Sequence, residues 1–590
     1  MKDFLKYTLA TITGLIIAGV VLFLISVVSL AGILSTSETE TIVKKNSVMM
    51  LTMDGGLSER SIDNPFDKLF GDNMTTYGLD DILASIKKAK EHEDIKGIYI
   101  HAEYLTGASF ASRQEIRDAL VDFKESGKFI VAYADAYTQG LYYMASVADK
   151  VLLNPIGKIE WRGLASQPTF YKELLAKLGI EMQIVRVGTY KAAVEPFIED
   201  KMSDANREQI NAYINSVWDQ QLAGVSESRN LSKEKLNEIA DKMLIFYPSE
   251  ECVAEGLVDT LIYKNDVRDY LKKMVGVDED DKLNTLSMND MKNIKRNVPK
   301  DKSGNIVAVY YAYGDIDMGS SSSVYADGIN SSKVIRDLRK LKEDKNVKAV
   351  VLRINSGGGS AFGSEQMWYA IEELKKEKPV VVSMGDYAAS GGYYMACNAD
   401  CIVAEPTTLT GSIGVFGMFP SFGELSKKVG LKYDLAKTNK FSDFGNMTRP
   451  LNTDEQALLQ MMVNQTYDLF LTRCSEGRDI PKEELAKIAE GRIWTGVMAK
   501  ELKLVDELGG LDKALSIAVE KAEVENYTLV SYPAKKSVFS SILEEKPTNY
   551  IQNKLIKSNL GDYYKSFRLL QNMENADFMQ ARVPFELSIN

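Results

Sequence analysis

A serine followed by two glycines is the first candidate for chemistry. Ser390 lies in the stretch MGDYAASGGYYMACNAD, Met384 to Asp400, a few residues after a short apolar run. A serine at a turn from a strand into a helix can act as a nucleophile if a neighbouring base takes its proton. The 590-residue chain contains only two histidines, His92 and His101, and both lie far upstream. The base must therefore be sought among other residue types.

An internal repeat shows where to look for that base. When Tyr133–Pro155 is laid over Met384–Pro406, nine of 23 positions are identical. A second pair of blocks, Ser226–Asp241 and Ser475–Glu490, matches in almost the same register. The chain therefore contains two diverged copies of one unit.

The two copies differ at the positions that could do chemistry. Ser390 aligns with Gln139, so the first copy lacks the nucleophile. Lys191, in VRVGTYKAAVEP, aligns with Ser442 in one register and with Lys440 in the other. In the first register one half keeps the serine and the other keeps the lysine. This reciprocal pattern predicts one composite site at the seam between the halves.

An amine can replace histidine as the base only when it is uncharged. Burial disfavours the ammonium and can lower the pKa of a lysine by several units. A site closed between two packed halves would bury Lys191 in this way. The alternative is that Lys191 is a surface cation and that Ser390 simply caps a helix. The reciprocal loss between the copies favours the catalytic interpretation.

A nucleophilic serine also needs donors for the oxyanion. Gly391 follows Ser390 at a predicted helix start, where backbone N–H groups are free. The second source is the loop Asn355–Ser360, NSGGGS, whose glycines can turn several N–H groups towards one point. Such loops also hold phosphates, but the dinucleotide pattern GxGxxG fails because Phe362 occupies its third glycine position.

The elements that must position these residues alternate along each half. Apolar runs typical of buried strands are followed by amphipathic helices, and one such helix near Gln209 places its apolar residues on one face. This order predicts an α/β fold with a largely parallel sheet in each half. The runs that predict strands are Ile95–His101, Phe129–Tyr133, Val347–Ile354 and Val380–Met384.

The repeat boundaries predict a domain organisation. We expect a tail, membrane anchor and tether, a first repeat that supplies the lysine, a linker, a second repeat that supplies the serine, and a C-terminal tail. The sequence of the C-terminal tail predicts little beyond an arm that packs against the rest of the chain. The predicted bounds are 1–46 for the N-terminal tail, anchor and tether, 47–263 for the first repeat, 264–304 for the linker, 305–522 for the second repeat and 523–590 for the C-terminal tail.

The N-terminal segment is different in kind from the rest. Residues 7–37 contain no charged side chain, and Leu15–Leu34 as a helix would cross roughly 30 Å of hydrocarbon. Basic residues precede this stretch, which predicts a single-pass span with its N-terminus in the cytoplasm and the bulk on the extracytoplasmic, periplasmic side. The alternative is a cleaved signal peptide with a small-x-small site at Ser29-Leu30-Ala31.

Composition excludes several other classes. A net charge of −11 argues against nucleic-acid binding, which needs clustered Lys and Arg. Four cysteines do not suggest a disulfide scaffold. Cys397 and Cys401 are one helical turn apart, but without a neighbouring histidine or third thiolate they are expected to be buried small side chains. The shortage of histidine and the absence of HExxH argue against a zinc hydrolase, and no cofactor is expected.

These residues together resemble the signal peptide peptidase A family, in its long form with two repeated halves, within the Clp protease/crotonase superfamily. The blocks that carry the resemblance are ASGGYYMA, RINSGGGS, GTYKAAVEPF and LTGSIGVFG. One departure is Gly357, which stands where the family commonly has proline. The resemblance implies tandem Clp/crotonase-like domains behind a transmembrane helix, joined in a membrane-tethered homotetramer that degrades signal peptide remnants.

The resemblance also implies roles for individual residues. Ser390 and Lys191 would form a catalytic dyad, and Ser412 would orient the lysine. The oxyanion donors implied are the backbone N–H groups of Gly358 and Gly391, with Gly359 as a further contributor. Two other classes stay open: a crotonase-like acyl-CoA enzyme, which needs no serine nucleophile, and a non-catalytic scaffold that binds peptides.

Overall fold

The structure is a computed structural model that describes residues 2–35, 40–61, 75–294, 301–318, 328–535 and 579–583. Its strands, in chain order, are β1 Ser47–Thr52, β2 Gly55–Ser58, β3 Thr75–Gly78, β4 Ile95–His101, β5 Leu105–Thr106, β6 Phe129–Tyr137, β7 Lys150–Ile159, β8 Glu181–Val187, β9 Thr260–Leu261, β10 Thr285–Leu286, β11 Ile306–Tyr313, β12 Asp315–Asp317, β13 Gly328–Asn330, β14 Val347–Ser356, β15 Gly358–Ser360, β16 Val380–Ala389, β17 Cys401–Ala404, β18 Leu409–Gly411, β19 Val415–Ser421, β20 Ile493–Thr495, β21 Glu507–Leu508, β22 Thr528–Tyr532 and β23 Met579–Arg582.

The α-helices alternate with these strands. They are Lys2–Ser35, Leu79–Glu91, Phe110–Lys124, Gln139–Ala145, Lys172–Leu178, Glu195–Ile198, Asp204–Arg229, Lys233–Lys242, Ser249–Ala254, Val267–Val275, Met288–Lys292, Ser331–Glu343, Ala361–Lys375, Gly391–Ala396, Gly423–Lys428, Thr453–Arg478, Lys482–Ile488, Gly496–Glu501 and Leu511–Lys521.

Two sheets with the same strand order confirm the duplication. The first runs β10-β1-β4-β6-β7-β9, and all its neighbours are parallel. The second repeats that path as β22-β11-β14-β16-β17-β21, also parallel, and adds β18 and an antiparallel β20 beside β16. The strands at their centres are apolar almost throughout because helices cover both faces. The predicted α/β fold with parallel sheets is thus confirmed.

The long helices that cover the sheets begin and end at matched positions. Asp204–Arg229 begins at Ser203, whose hydroxyl accepts the N–H of Asn206, and Thr453–Arg478 begins at an Asn452 capping box. They end at Asn230 and Asp479, both in the left-handed conformation that closes a helix. These two helix ends lie in the matched blocks of the internal repeat, Ser226–Asp241 and Ser475–Glu490.

Two segments outside the predicted repeats extend the sheets. Residues 285–286, in the predicted linker, form β10 at the edge of the first sheet. Residues 528–532, in the predicted tail, form β22 at the matching edge of the second sheet. The domain boundaries themselves stay a prediction.

The expected localisation is wrong. Among the described residues, no helix combines the length and the apolar character needed to cross a bilayer. The membrane span expected over residues 7–37, with a cytoplasmic N-terminus and a periplasmic bulk, is therefore not supported.

A third sheet joins the two halves. It runs β13-β12-β15-β23-β19-β8. All seven residues of β8, from the first half, pair antiparallel with β19 of the second half, with Val185 opposite Gly417. Lys191 follows the end of β8 by four residues, and β19 begins three residues after Ser412. This ladder therefore brings both predicted site segments to one place.

Candidate active site

The amine of Lys191 lies among the two predicted serines. Its Nζ is 2.7 Å from Ser390 Oγ, 3.0 Å from Ser412 Oγ and 3.1 Å from the Ser412 carbonyl oxygen. All three residues are fully buried. The structure thus brings together three residues that the sequence places on two different repeats.

The surroundings favour the uncharged amine. Burial strips water from the ammonium and lowers the pKa of Lys191 well below its ordinary value. An uncharged amine has two N–H donors and one lone pair. The carbonyl and hydroxyl oxygens of Ser412 can accept both N–H groups, which leaves the lone pair for the hydroxyl proton of Ser390. The same three contacts would also suit the three N–H donors of an ammonium, so it is the burial of Lys191 that favours the neutral form.

The turn that carries Ser390 holds a rare backbone conformation. Its φ is 53° and its ψ is −114°, between β16 and the helix Gly391–Ala396. Such a conformation costs on the order of 1–3 kcal/mol and is kept only where the surroundings enforce it. The Ser390 N–H donates to the Gly411 carbonyl at 2.8 Å, and the Ser390 carbonyl accepts the Tyr394 N–H at 2.8 Å. These bonds fix the side chain at the end of the strand.

Close backbone packing holds Lys191 and Ser412. The Ser412 N–H donates to the carbonyl of Arg492 at 2.7 Å. Next to Arg492, Gly491 has φ +78°, and a Cβ there would lie 2.7 Å from Lys191 Cα. The segment 491–492 of the second half therefore packs directly on the lysine of the first. No pattern in the sequence pointed to this segment.

The predicted oxyanion glycines divide into two groups. Gly358 and Gly391 are adjacent, since a Cβ on Gly358 would lie 2.8 Å from the Gly391 nitrogen. The Gly358 N–H donates to Ser356 Oγ at 3.1 Å. Gly359 instead packs against β12, where a Cβ would overlap the Ile316 carbonyl oxygen. The need for glycine at 359 is thus explained by strand packing.

A buried ionic cluster near the site was missed by sequence reasoning. Arg353 of the second half pairs with two carboxylates of the first half, with Nε 2.9 Å from Glu59 Oε2 and Nη2 2.6 Å from Glu115 Oε1. All three side chains are at most 4% exposed. The signal available was Arg353 itself, a charge inside the apolar run VVLRIN. Its partners lie far away in the sequence and follow no pattern.

More acid than base is buried in this cluster. Glu405 and Asp386 also face it, and burial raises the pKa of both carboxyls above their ordinary values. Asp386 Oδ1 accepts the N–H and the hydroxyl of Ser112, another bond between the halves. Burial raises the pKa of Glu115 to about 7 despite Arg353. The seam is therefore held by buried groups whose charge depends on pH.

The chain was compared with known proteins. Residues 122–278 and 372–525 each match Peptidase family S49. The protein named Protease 4 of Haemophilus influenzae is 33% identical over 533 residues, covering 88% of this chain and 86% of the relative. The chain belongs to peptidase family S49.

Two further relatives of this chain are also named as proteases. The Protease 4 of Salmonella typhi is 36% identical over 81% of this chain and 78% of the relative. A protein of Arabidopsis thaliana named Serine protease SPPA, chloroplastic, is 31% identical over 85% of this chain and 73% of the relative. Among solved structures, the chain is similar to ClpP1 from Listeria monocytogenes, at 14% identity and a TM-score of 0.21 over 34% of this chain and 91% of that one.

Membership of family S49 has two consequences. The double match of one family confirms that the two halves are copies of one unit. It also confirms the prediction of a serine peptidase, against the acyl-CoA enzyme and the non-catalytic scaffold. The roles of the individual residues stay predictions, which the geometry above makes testable.

Proposed function

We propose that the chain is a serine endopeptidase that degrades signal peptide remnants or other apolar peptides through a dyad of Ser390 and Lys191. The observation that carries the proposal is the 2.7 Å separation of the Ser390 hydroxyl and the Lys191 amine in a site without solvent exposure. A relative from Enterococcus faecium, 30% identical over 38% of this chain and 66% of its own length, is named Putative signal peptide peptidase SppA, and that name supports the substrate class.

The first half of the reaction forms an ester with the enzyme. Ser390 Oγ attacks the substrate carbonyl carbon while the lone pair of Lys191 takes the hydroxyl proton. The negative charge on the carbonyl oxygen faces Gly358 and Gly391, whose N–H groups act as donors. The Gly358 N–H exchanges its present acceptor, Ser356 Oγ, for this oxygen. Lys191 then donates its proton to the leaving amine, and the peptide bond breaks.

The second half restores the enzyme. Lys191, neutral again, takes a proton from a water molecule that attacks the ester carbonyl. Collapse of the second tetrahedral intermediate returns the proton to Ser390 Oγ and releases a carboxylic acid, which loses its remaining proton to water. Ser412 keeps the amine aimed throughout, because its two oxygens accept the N–H groups of Lys191 and leave the lone pair directed at Ser390.

Hydrolysis of a fluorogenic peptide with a signal-peptide-like apolar core tests the dyad. Ser390→Ala and Lys191→Ala should each lower kcat by at least about 100-fold, since a general base alone contributes roughly 10²- to 10⁴-fold. Lys440→Ala is the matched control, because Lys440 is the alternative aligned lysine and its side chain is 64% exposed in a pair with Asp454. Full turnover by Lys191→Ala would refute the dyad.

The substrate class needs its own comparison. A set of peptides of equal length, apolar or strongly charged, should be ranked by kcat/KM. We expect the apolar peptides to be cleaved faster, and equal rates across the set would contradict the proposed specificity.

The proposal includes assembly as a homotetramer. Three large apolar side chains on the helix Thr453–Arg478 support an interface there, because Leu458, Met461 and Leu469 are 44%, 52% and 38% exposed. Light scattering on the purified protein should give four times the mass of the chain, 65.7 kDa. A monomer at all concentrations tried would exclude the assembly.

A further inference from the structure

The guanidinium of Arg492 lies against the segment that carries the proposed base. Its Cζ is 4.6 Å from the centre of the Tyr190 ring, and its Nη1 donates to the Tyr190 hydroxyl at 3.2 Å. Tyr190 directly precedes Lys191 in the chain. The Nη2 of Arg492 lies 2.9 Å from Glu208 Oε1, and Glu208 Oε2 accepts the Tyr190 hydroxyl at 3.0 Å. One arginine of the second half therefore fixes the residue next to the base in the first half.

The backbone of the same segment holds the serine that accepts from the amine. The Arg492 carbonyl accepts the Ser412 N–H at 2.7 Å, and the Gly491 N–H donates to the Ile413 carbonyl at 2.7 Å. Ser412 has a φ of 51°, a left-handed conformation that costs energy and is kept where the surroundings enforce it. Arg492 is thus bonded to both partners, to the lysine segment through its side chain and to Ser412 through its backbone.

A tryptophan fixes the plane of the guanidinium. Trp494 lies on β20, and the Cζ of Arg492 is 4.5 Å from the centre of its ring. The Trp494 Nε1 donates to the Ile488 carbonyl at 3.0 Å, which holds the ring in place. A planar guanidinium can stack on aromatic faces while its N–H groups donate in the plane, and an ammonium has no such geometry. The surroundings therefore favour arginine over lysine at this position.

The internal repeat associates this arginine with the half that carries the nucleophile. In the register that matches Ser475–Glu490 with Ser226–Asp241, the stretch GRIWT of residues 491–495 aligns with KMLIF of residues 242–246. The first copy therefore lacks the glycine, the arginine and the tryptophan, and it also lacks the serine matched to Ser390. This divergence favours a role of Arg492 in the reaction over a role in the fold of the repeated unit.

We propose that Arg492 is a positioning residue that holds Lys191 and Ser412 in place across the two halves. This inference rests on the proposed function for the role of Lys191 as the base. Arg492 acts through Tyr190 and through the Ser412 backbone. A displacement of the amine by about 1 Å would slow proton transfer while the contacts that bind the substrate stay in place. The expected signature is therefore a loss of kcat with little change in KM.

Two replacements of the arginine test this role. Arg492→Lys keeps the charge and Arg492→Ala removes the side chain, and each should lower kcat for a fluorogenic apolar peptide by at least about 10-fold, with KM changed by less than about 2-fold. The midpoint of the rise of kcat/KM with pH should move upward in both, because a looser site lets water reach the amine and favours its charged form. Guanidinium chloride at about 20 mM should restore part of the kcat of Arg492→Ala and should not raise that of the parent.

Arg473→Ala is the matched control. Arg473 also stacks on a tryptophan, with its Cζ 3.9 Å from the centre of the Trp368 ring, and it pairs with Glu365 at 2.8 Å. Its side chain is 26% exposed and that of Arg492 is 21% exposed. The control should lose a similar amount of Tm and keep the kcat of the parent. The inference is overturned if Arg492→Lys keeps the kcat and the pH midpoint of the parent, or if Arg473→Ala loses as much kcat.

Labelling of Ser390 with a fluorophosphonate separates this inference from the proposed function, because it depends on the base and needs no peptide substrate. Lys191→Ala and Arg492→Lys should both be labelled more slowly than the parent, the second by at least about 10-fold. Slow labelling of both variants without any peptide hydrolysis by the parent would refute the proposed peptidase function alone. Peptide hydrolysis by the parent, together with equal labelling of the parent and Arg492→Lys, would overturn the role of Arg492 alone.

Discussion

The buried carboxyl of Glu115 makes the stability of the seam depend on pH. Glu115 faces Arg353, Glu59, Glu405 and Asp386, and burial is the largest cause that raises its pKa from 4.5 to about 7. Between these two pH values the folded chain binds a proton that the unfolded chain has released. The free energy of unfolding therefore falls as pH rises through this interval, by about 3 kcal/mol from this one group.

Replacement by glutamine isolates this contribution. In Glu115→Gln the side chain has the same shape but cannot ionise, so its cost of burial no longer changes with pH. The stability of the variant relative to the parent should rise by about 2–3 kcal/mol between pH 5 and pH 8. The Glu115 charge also raises the pKa of Glu405, so the difference between the two proteins contains Glu115 together with this coupling, while groups distant from the cluster cancel.

Denaturant unfolding followed by tryptophan fluorescence measures this difference. Trp161 is buried in the core of the first half, which makes it a reporter of that half. Glu125→Gln is the control, since Glu125 directly follows the same helix, Phe110–Lys124, and its side chain is 72% exposed. The reasoning is refuted if Glu115→Gln and the parent change in parallel from pH 5 to pH 8.

Four further results are expected. The value of kcat/KM should rise with pH, and the midpoint of this rise should lie below pH 10.5, because burial lowers the pKa of Lys191 and only the neutral amine is a base. A pH profile of peptide hydrolysis measures this rise, and a flat profile would contradict the role of Lys191 as the base. Ser412→Ala should lower kcat by about 10-fold or more with little change in KM, since a buried hydrogen bond is worth roughly 1–3 kcal/mol. Gly491→Ala should lower kcat by at least about 10-fold through contact with Lys191, whereas Gly445→Ala, with a similar φ but open space around it, should not change kcat. Arg353→Met should lower the free energy of unfolding by about 3–5 kcal/mol at pH 8, because Glu59 and Glu115 lose their buried partner. The loss should be smaller at pH 5, where these carboxyls bind protons, and calorimetry at both pH values measures the difference.

Much of the fold could be predicted because the signals were local. The strand β4 has the bounds that its apolar run indicated, and the matched blocks of the repeat fall on matched elements of two sheets with one strand order. The strands β6, β14 and β16 run a few residues further than predicted, because pairing continues beyond their apolar runs: the end of β6 pairs with β7, and the ends of β14 and β16 pair with each other and with β18.

The missed features all depend on contacts between distant parts of the chain. Arg353 stood out as a charge in a buried strand, but nothing local shows that Glu59 and Glu115 converge on it. The strand β23 has four residues, too few for any periodicity, and its place in the third sheet depends on pairing with the distant strands β15 and β19. The comparison of the two copies could identify Lys191 and Ser390 as candidate catalytic residues, but it could not show how far apart their side chains lie.

A site divided between two copies is sensitive to their relative placement. A proton transfer needs the two heavy atoms within about 3 Å, so a shift of about 1 Å between the halves would separate Lys191 from Ser390. The ladder of β8 on β19 resists sliding along the strands, and the pairs of Arg353 with Glu59 and Glu115 resist separation of the halves. The ionic cluster loses stability as pH rises, whereas the proposed base gains activity as pH rises. The working range of the enzyme should therefore lie where Lys191 is already neutral and the seam still holds. The pH profile of activity in Glu115→Gln should accordingly extend to higher pH than that of the parent. An unchanged alkaline limit would show that ionisation of Glu115 between the halves does not limit activity at high pH.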